Sequence, residues 1–342
     1  AVAGGIPIIK ALREGLAANR IDAVAGIING TTNFILSEMR DKGQDFATVL
    51  KEAQRLGYAE ADPTFDIEGV DAAHKITLLS AIAFGIPVQF DKAYVEGITQ
   101  LGAADIRYAE QLGYRIKLLG ITRRREEGIE LRVHPTLIPA KRLIANVEGA
   151  MNAVVVQGDA VGNTLYYGKG AGSEPTASAV IADLVDVARL HTADPQHRVP
   201  HLAFQPNSTH SQLPVLPMEQ VITSYYLRMR VEDKPGVLAD ITRILADSDI
   251  SIEALNQKEA AEGVAAAKAV TQKVFWSVIV LLLIVSVVNV AAVIFLSRSL
   301  QRGLESILSG LEPLKRGDLT RTIPYQGTDE LGEIVVGVNG FV

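Results

Sequence analysis

The loop and helix over residues 57–75 carry the residue types that could do proton chemistry. The stretch reads GYAEADPTFDIEGVDAAHK, and its acidic side chains are those of Glu60, Asp62, Asp66, Glu68 and Asp71. Asp71 and Lys75 are four residues apart, so a helix would place them on one face. The apolar run 76–84 follows directly and predicts a buried helix. A lysine at the mouth of a buried helix, facing a loop of acids, could bind an amino group and move a proton.

A purely structural explanation competes with this one. An Asp-x-x-x-Lys pair on a helix is usually a solvated surface pair, which contributes a few tenths of a kcal/mol. An acidic loop is usually only a connection between elements. Spacing alone therefore favours the structural explanation, and both explanations remain open on the residues considered so far.

The elements around this stretch can be predicted from their sequence patterns. Residues 46–56 have a helical pattern that ends at Gly57, the residue type best able to take the left-handed conformation of a helix C-cap. A second helix begins near Gly69. Residues 24–28 predict a short strand, and the turn 29–32 leads from it into a helix over 33–39. Backbone N–H groups at that helix start could hold an anion, and an ordinary N-cap explains the pattern equally well.

Strand patterns continue further along the chain, over 116–122 and 131–136, and a hairpin is predicted from 153–157 and 164–167. The glycine-rich loop 168–173 then leads to Pro175 and a helix over 176–190 with a broad apolar face. This loop fails the P-loop spacing. It also lacks the later strand with an acidic end that a dinucleotide fingerprint needs, so no Rossmann domain is visible. The loop could still contact a ligand.

Composition excludes several classes of function. The chain has 342 residues, enough for two or three domains, and a net charge of −6, which argues against a nucleic-acid partner. It has no cysteine, which excludes disulfides, thiolate metal sites and a cysteine nucleophile. The first residue is Ala1, and no signal-peptide pattern follows it. We therefore expect the sequence to be an internal piece of a longer protein.

Residues 191–220 hold four of the six histidines and five prolines. His197 and His201 are four residues apart, which suggests a metal site on a helix. Pro200 lies between them and argues against a shared helix face. A Pro-rich linker is therefore the favoured explanation.

Residues 274–296 read VFWSVIVLLLIVSVVNVAAVIFL, 23 residues without a charged side chain. This length can span a bilayer, and a buried soluble helix is the alternative. Basic residues after the segment favour a cytoplasmic tail: Arg298, Arg302, Lys315 and Arg316. An amphipathic helix is predicted over 300–314, and another helix begins at Asp329.

Residues 2–190 resemble bacterial homoserine dehydrogenases. The matching segments are VAGGIPIIKALREGL, GIINGTTNFIL, GYAEADPTFDIEGVDAAHK, VHPTLIP and YYGKGAG. Residues 225–257, with DKPGVLADI, resemble the start of the ACT domain that ends many of these enzymes. Residues 264–342, with GDL and DELGEI, resemble the second transmembrane helix and HAMP linker of methyl-accepting chemotaxis proteins. The first resemblance favours the functional explanation of the acidic loop.

The resemblance to homoserine dehydrogenase implies reduction of L-aspartate 4-semialdehyde to L-homoserine with NADPH or NADH, in threonine and methionine biosynthesis. It implies that Lys75 is the proton donor and that Asp71 lies beside it in the active site. Glu60 would hold the substrate's amino group, and the other implied substrate-binding residues are Tyr58, Asp66, Gly30 and Thr31. Gly170 would face the cofactor. A monovalent cation such as Na⁺ would bind the backbone carbonyls of Val2, Gly4 and Ile6, and the domain would form a homo-oligomer.

The implied fold is an α/β (α+β) catalytic domain with a mixed sheet and helices, a partial ACT domain, one transmembrane helix and a partial HAMP segment. The expected boundaries are 1–190 for the catalytic domain, 191–220 for the Pro-rich linker, 221–263 for a truncated ACT domain, 264–296 for the transmembrane helix and 297–342 for the partial HAMP domain. The family's N-terminal Rossmann domain is not visible in this sequence, and the ACT-like part shows only β-α-β of βαββαβ. We therefore interpret the chain as a chimera of two fragments and expect the 342 residues alone to be inactive.

Three functions follow from these patterns. The leading one is a homoserine dehydrogenase whose dehydrogenase part is cytoplasmic. The second is a fragment of a membrane signal-relay protein of the chemotaxis type, single-pass, with the N-terminal part as a passenger. The third is an amino-acid-sensing module that uses the ACT-like part.

Overall fold

The structure is a computed structural model. It describes residues 2–192, 194, 198–205, 213–232 and 234–255, and beyond them scattered positions from 279 to 312, 315–316, 322–324 and 327–340. The chain divides into two compact units, Ala1–Gln257 and Lys258–Val342.

The first unit is built on a six-stranded mixed sheet. Its strands are β1 (Ile21–Ile27), β2 (Tyr94–Val95), β3 (Tyr114–Arg124), β4 (Ile129–Pro139), β5 (Met151–Gly158) and β6 (Gly162–Lys169). Their order across the sheet is β2-β4-β3-β1-β5-β6. Only β2 and β4 pair in parallel, and the other neighbours are antiparallel. The mixed sheet and the predicted hairpin, which is β5–β6, are both confirmed.

Helices lie along the chain between these strands and after them. Their bounds are α1 (Ile8–Lys10, continued by a π-helical turn over Ala11–Gly15), α2 (Gly30–Lys42), α3 (Phe46–Arg55), α4 (Thr64–Ile67), α5 (Val70–Phe84), α6 (Ala103–Gln111), α7 (Ser173–His191), α8 (Val237–Asp247) and α9 (Glu330–Asn339). Short 3-10 turns lie at Phe90–Lys92, Leu143–Asn146 and Met218–Gln220. Helix α2 begins three residues earlier than the pattern predicts, because Asn29 caps it.

The core lies where α5 packs on β1, β3 and β4. Ile76, Leu79 and Phe84 are fully buried, as the apolar run predicted. The helix approaches the sheet closely at Gly120 of β3, where an added Cβ atom would lie 3.0 Å from the Cβ atom of Ile76. A larger residue at 120 would therefore push α5, and with it Asp71 and Lys75, away from the sheet.

Glycines end the helices that flank the acidic loop. Helix α3 has its C-cap at Leu56, and Gly57 follows with φ +78°. Helix α5 begins after Gly69, with φ +81°, and ends at Gly85, with φ +65°. The predicted left-handed glycine after α3 is confirmed, since only glycine takes such φ values without strain. These two turns fix the ends of the loop that carries the acids.

The segment predicted as a linker makes specific contacts with the first unit. Ile129 donates its backbone N–H to the Pro214 carbonyl at 2.8 Å, and Leu216 donates to the Ile129 carbonyl at 2.9 Å. Further along, Tyr226 donates its hydroxyl to Asp105 at 3.0 Å, and Arg228 forms an ion pair with Asp105 at 2.8 Å. Residues 214–216 are thus hydrogen-bonded to β4, and the Pro-rich linker over 191–220 stays a prediction.

The β-α-β pattern of the ACT-like part predicts strands over 224–231 and 250–257 with a helix up to Ala246 between them, and in the residues described neither strand is formed. Residues 224–231 and 250–255 have no strand assignment, although α8 between them is present as predicted. A strand needs a partner for its backbone N–H and C=O groups, and a short isolated pair is at best marginally stable in water. The alternation of apolar residues predicted a strand but could not supply that partner.

The predictions for the C-terminal part are only partly covered by described residues. Helix α9 confirms the helix predicted from Asp329, and the described positions between 297 and 312 are helical. Most of the predicted span 274–296 lies outside the described residues. In the part of the chain that the structure describes, no helix is both long and apolar enough to cross a bilayer.

The histidine-based metal site cannot be placed, since His197 lies outside the described residues. His201 is exposed. Among the described residues, no group of three or more His, Cys, Asp or Glu side chains is arranged to hold a metal ion.

His134 on β4 is a half-buried histidine beside Arg132. Burial lowers the pKa of His134 below its usual 6.5, and the adjacent Arg132 guanidinium lowers it further, against a raising contribution from the Pro135 carbonyl. The Arg132 Nη1 atom lies 2.5 Å from His134 Nε2, and Nδ1 lies 2.9 Å from the Pro135 carbonyl oxygen. A neutral ring protonated on Nδ1 satisfies both contacts, and protonation of Nε2 would place two cations together.

We expect the free energy of unfolding to decrease as the pH falls below about 6.5, because the unfolded chain then binds a proton that folded His134 does not. Above about pH 6.5 both states are neutral and the contribution is fully present. Urea denaturation at pH 7.5 and 5.5, with native protein and His134→Gln, measures it. The variant should lose less stability between the two pH values than the native protein. His201→Gln, at an exposed histidine, is the control, and an equal pH dependence in all three proteins would contradict the expectation.

Candidate active site

Lys75 lies at the start of α5 with its ammonium group held by two oxygen acceptors. Its Nζ atom donates to Asp71 Oδ2 at 2.6 Å and to the Ile28 carbonyl oxygen at 3.0 Å. The side chains of Lys75 and Asp71 are each 21% exposed. The pair is therefore neither a free surface pair nor a buried one, and one face of the ammonium remains reachable from solvent.

Asn29 connects Asp71, the partner of Lys75, to a second acid, Asp66. The buried Asn29 amide donates from Nδ2 to Asp66 Oδ1 at 2.7 Å and to Asp71 Oδ2 at 2.8 Å. Its Oδ1 atom accepts from the Thr32 backbone N–H at 2.9 Å and so caps α2. A single side chain thus fixes the loop acid, the helix acid and the start of α2 relative to one another.

The acidic loop is fastened to α2 and α3 through its backbone. Thr31 donates its hydroxyl to the Tyr58 carbonyl at 2.8 Å, and the Tyr58 ring stacks on Phe34 with centroids 4.4 Å apart. Gln54 donates its amide to the Glu60 carbonyl at 3.1 Å. Asp62 accepts from both the hydroxyl and the N–H of Thr64, and these two bonds lower the pKa of its carboxyl. The loop is therefore ordered, with the side chains of Glu60 and Asp62 exposed and those of Asp66 and Glu68 half-buried.

Glu60 does not join the Lys75 cluster directly. Its side chain is exposed, and within the described residues no hydrogen bond or ion pair links its carboxylate to Lys75 or Asp71. The structure thus brings together Lys75, Asp71 and Asp66. The Glu60 carboxylate is available to a ligand in solvent, on a loop whose backbone is held beside Thr31.

Gly30 lies against residues 147–151, called here loop 147–151, which comprise the turn before β5 and the first residue of that strand. A Cβ atom added at Gly30 would lie 2.9 Å from the Ala150 carbonyl oxygen, which is closer than real Cβ contacts allow. The absence of a side chain at this position therefore permits the first turn of α2 to pack on that loop. Gly30 and Thr31 are the first two residues of α2, directly after Asn29, which contacts Asp66 and Asp71.

The loop predicted to face a cofactor lies between β6 and α7. Gly170 is tightly packed, since an added Cβ atom would lie 2.1 Å from Asn152 Nδ2. The buried Asn152 Oδ1 atom has no hydrogen-bond partner in the structure. The loop residues next to Gly170 are exposed, and α7 begins at Ser173. Free backbone N–H groups at a helix start and an unsatisfied amide oxygen fit the polar groups of a dinucleotide.

The turn over residues 2–6 packs against the same loop. Ala3 and Gly4 both have left-handed backbones, with φ of 57° and 52°, and a Cβ atom added at Gly4 would lie 2.2 Å from the Gly170 carbonyl oxygen. Val2, Gly4 and Ile6 are buried, and the Ile6 carbonyl already accepts from the Ile8 N–H at 2.8 Å. Of the three carbonyls predicted to hold a cation, that of Ile6 therefore already has a hydrogen-bond donor.

Sequence reasoning missed Asn29 as a functional residue. It appeared only as part of the turn before α2, where an asparagine is a common N-cap. The signal that could have found it is its second polar group: an N-cap uses only the side-chain oxygen, so the amide hydrogens of a buried asparagine need other acceptors. In the fold, Asp66 and Asp71 supply those acceptors.

Two family models match the chain. The model described as Homoserine dehydrogenase matches residues 7–185, slightly more than half of the chain, and the model described as ACT domain matches residues 225–275. The ACT match passes the boundary that we expected at residue 263 and reaches the start of the predicted span 274–296. That boundary between two fragments is therefore not supported by the match.

Curated relatives and solved structures agree with the family models. Homoserine dehydrogenase of Pseudomonas aeruginosa is 68% identical over 262 residues, which cover 77% of this chain and 60% of the relative. Homoserine dehydrogenase of Neisseria gonorrhoeae is 68% identical and covers 75% and 59%. The crystal structure of a homoserine dehydrogenase from Thiobacillus denitrificans is 79% identical, with a TM-score of 0.73, and covers 75% of this chain and 59% of that one. The chain thus spans about three fifths of the length of the relatives it matches.

Proposed function

Because the chain belongs to the homoserine dehydrogenase family, we propose that it supplies the substrate-binding and proton-transfer half of an NAD(P)H-dependent reduction of L-aspartate 4-semialdehyde to L-homoserine. The observation that carries the proposal is the Lys75 ammonium, held by Asp71 and the Ile28 carbonyl and partly open to solvent. This is the group that reduction of an aldehyde requires at the carbonyl oxygen.

Lys75 protonates the oxygen as the carbonyl is reduced. A bound nicotinamide supplies the hydride to the aldehyde carbon when it is present. Negative charge then develops on the carbonyl oxygen, and an ammonium within hydrogen-bond distance stabilises it and donates the proton that completes the alcohol. Asp71 keeps the ammonium aimed in one direction, and solvent returns the proton through the exposed face of Lys75.

The substrate's own ammonium group is recognised by carboxylates. Asp66 is held by Asn29 beside the Lys75 cluster, and Glu60 reaches into solvent from the backbone-anchored loop. An amino group between two such carboxylates gains charge-assisted hydrogen bonds that an aldehyde without an amino group does not. Tyr58, Gly30 and Thr31 line the neighbouring surface and shape the space for the short carbon chain.

The cofactor and the cation belong at the two packed turns. The loop around Gly170, which packs on the Asn152 amide, would hold the nicotinamide nucleotide. The backbone carbonyls of Val2, Gly4 and Ile6 would hold a monovalent cation. Since Gly4 packs on Gly170, cation binding would stiffen the loop that contacts the cofactor. Homo-oligomer formation through residues 1–190, and a cytoplasmic place for them, are part of the same proposal.

For the remaining residues the proposals rest on sequence. The ACT-like residues would bind an amino acid, and residues 274–296 would span a membrane ahead of a partial HAMP segment, as in a signal-relay protein joined to a dehydrogenase fragment. The uncharged length of 274–296 supports the span. Flotation of the 342-residue chain with lipid vesicles, compared with a chain that ends at residue 257, tests it: equal flotation would contradict the span.

The test of the dehydrogenase proposal uses a hybrid enzyme. We define it as the Pseudomonas aeruginosa relative in which residues 2–257 of this chain replace the corresponding residues. The hybrid enzyme should oxidise NADPH or NADH in the presence of L-aspartate 4-semialdehyde, measured by loss of absorbance of the reduced nicotinamide. Propionaldehyde, which has no amino group, should be a poor substrate. A folded hybrid enzyme with no activity toward the amino-acid aldehyde would contradict the proposal.

A further inference from the structure

Lys117 on β3 is a fully buried lysine outside the cluster around Lys75. Its side chain is 1% exposed. Its ammonium donates to the Val147 carbonyl at 2.6 Å and to Asn33 Oδ1 at 3.0 Å. Lysine is almost never buried in this way unless it is paired, so its place in the fold calls for a physical explanation.

Charge pairing explains only part of the burial, because Lys117 forms a long ion pair with a carboxylate that two arginines also contact. The nearest carboxylate atom, Glu148 Oε2, lies 3.6 Å from Lys117 Nζ, and the other Glu148 oxygen already accepts from Arg40 at 2.8 Å and Arg115 at 2.7 Å. Arg40, Arg115 and Lys117 therefore share the Glu148 carboxylate. Asp41 offers a second carboxylate, but it contacts only Arg40 of these three. Burial lowers the pKa of Lys117 to about 8, against the raising effect of Glu148. An apolar residue would fill the position at lower cost.

The chemistry of the contacts explains why a lysine is useful here. A charged lysine can only donate hydrogen bonds, so it forces the oxygen of the Asn33 amide to face it. The Asn33 Nδ2 atom must then point the other way, where its two hydrogens are shared among the carbonyls of Val147 at 3.1 Å, Gly149 at 2.8 Å and Met151 at 3.1 Å. Lys117 thus fixes the orientation of one amide, and that amide gathers three carbonyl groups of one loop.

This loop is the one that packs on Gly30. The Ala150 carbonyl oxygen meets the position of a Gly30 Cβ atom at 2.9 Å, and the Gly149 N–H donates to Ser37 Oγ on α2 at 3.3 Å. Asn33 is itself in the first turns of α2, one turn after Asn29 and Gly30. The loop 147–151 and the start of α2 are therefore held together by the amide that Lys117 orients.

We propose that Lys117 is a positioning residue, which acts through Asn33 to hold the loop 147–151 against Gly30 and so fixes the α2 wall of the substrate site. The part about substrate rests on the proposed function, while the part about the loop does not. No contact between Lys117 and substrate is involved, since the side chain is enclosed by protein.

The first experiment measures the loop without any catalysis. Amide hydrogen–deuterium exchange is followed by mass spectrometry in the full 342-residue chain and in Lys117→Met, a residue of similar length that cannot donate. Faster exchange is expected in peptides covering 29–33 and 147–151, by about tenfold or more, with little change elsewhere. Lys42→Met on α2, which removes an exposed pair with Glu38, should match the native chain. Unchanged exchange in both segments, or a uniform rise along the chain, would overturn the proposal.

The second experiment uses the hybrid enzyme. Lys117→Met should raise KM for L-aspartate 4-semialdehyde about tenfold while kcat changes by less than about threefold, since binding is loosened and the proton donor stays in place. A native KM in a variant with altered exchange, or a loss in kcat alone, would overturn the claim about the substrate wall. If the unsubstituted hybrid enzyme is inactive, the proposed function fails, and the exchange experiment still decides the role of Lys117 in the loop.

Discussion

Alanine in place of Lys75 is expected to lower kcat of the hybrid enzyme by about a thousandfold, because general acid catalysis by a positioned side chain typically contributes 10²–10⁴-fold. The change removes the ammonium that donates to Asp71 and to the Ile28 carbonyl. KM should change far less, since the carboxylates proposed to hold the substrate's amino group remain. The measurement is steady-state kinetics with varied L-aspartate 4-semialdehyde at a fixed, saturating level of the reduced nicotinamide.

Two controls separate this effect from misfolding. Lys51→Ala removes an exposed lysine on α3 and should leave kcat unchanged. The thermal midpoint of Lys75→Ala should stay close to that of the native protein, because the lost ion pair is partly solvated and such pairs contribute little. A Lys75→Ala variant with more than about a tenth of the native kcat would show that another group delivers the proton.

Local sequence patterns predicted the helix that carries Lys75 and its partner. The four-residue spacing of Asp71 and Lys75 and the apolar run after them sufficed for the ion pair and for the burial of Ile76. Gly57 marked the end of α3, since a left-handed glycine there has a local cause. Features of this kind depend on residues within one or two helical turns.

Features that depend on distant residues were not predictable from the same patterns. Asn29 meets Asp66 and Asp71 across 37 and 42 residues of chain, and nothing in its neighbours indicates either partner. Lys117 reads as an ordinary strand residue, and only the fold places Asn33 at its ammonium. The docking of residues 213–216 on β4 was missed because proline content predicts an extended backbone but not what that backbone contacts.

The family resemblance added roles that the pattern alone could not assign. Spacing left the acidic loop divided between a structural and a functional explanation, and the resemblance favoured the functional one. The structure separates the two acids that the resemblance assigns to substrate binding. Asp66 lies in the Lys75 cluster through Asn29, whereas Glu60 stands apart with an exposed side chain. A substrate ammonium between them would explain how both could act on one group.

Aspartate in place of Asn29 is expected to lower kcat/KM of the hybrid enzyme by about a hundredfold. The substitution is nearly isosteric and keeps the oxygen that accepts from the Thr32 N–H, so the cap of α2 is preserved. The Asn29 amide nitrogen lies 2.7 Å from an Asp66 oxygen and 2.8 Å from an Asp71 oxygen. The substitution replaces this donor by an oxygen of a third carboxylate group. Like charges about 4 Å apart repel by on the order of 4 kcal/mol at an effective dielectric constant of 20, so the two acids should move away from Lys75 and from the substrate's amino group.

The pH dependence of Asn29→Asp distinguishes repulsion from simple loss of structure. When one of three adjacent carboxyl groups is protonated, it regains a hydrogen that can be donated to its neighbour, as the asparagine amide does. The ratio of variant to native kcat/KM should therefore rise as the pH is lowered from 8 to 6. Asp45→Asn is the matched control, since it makes the reverse exchange at the N-cap of α3, where the side chain accepts from the Thr48 N–H, and it should leave kcat/KM and its pH profile unchanged. A ratio that is constant with pH, together with a lowered thermal midpoint, would mean that Asn29 acts only in the stability of the fold.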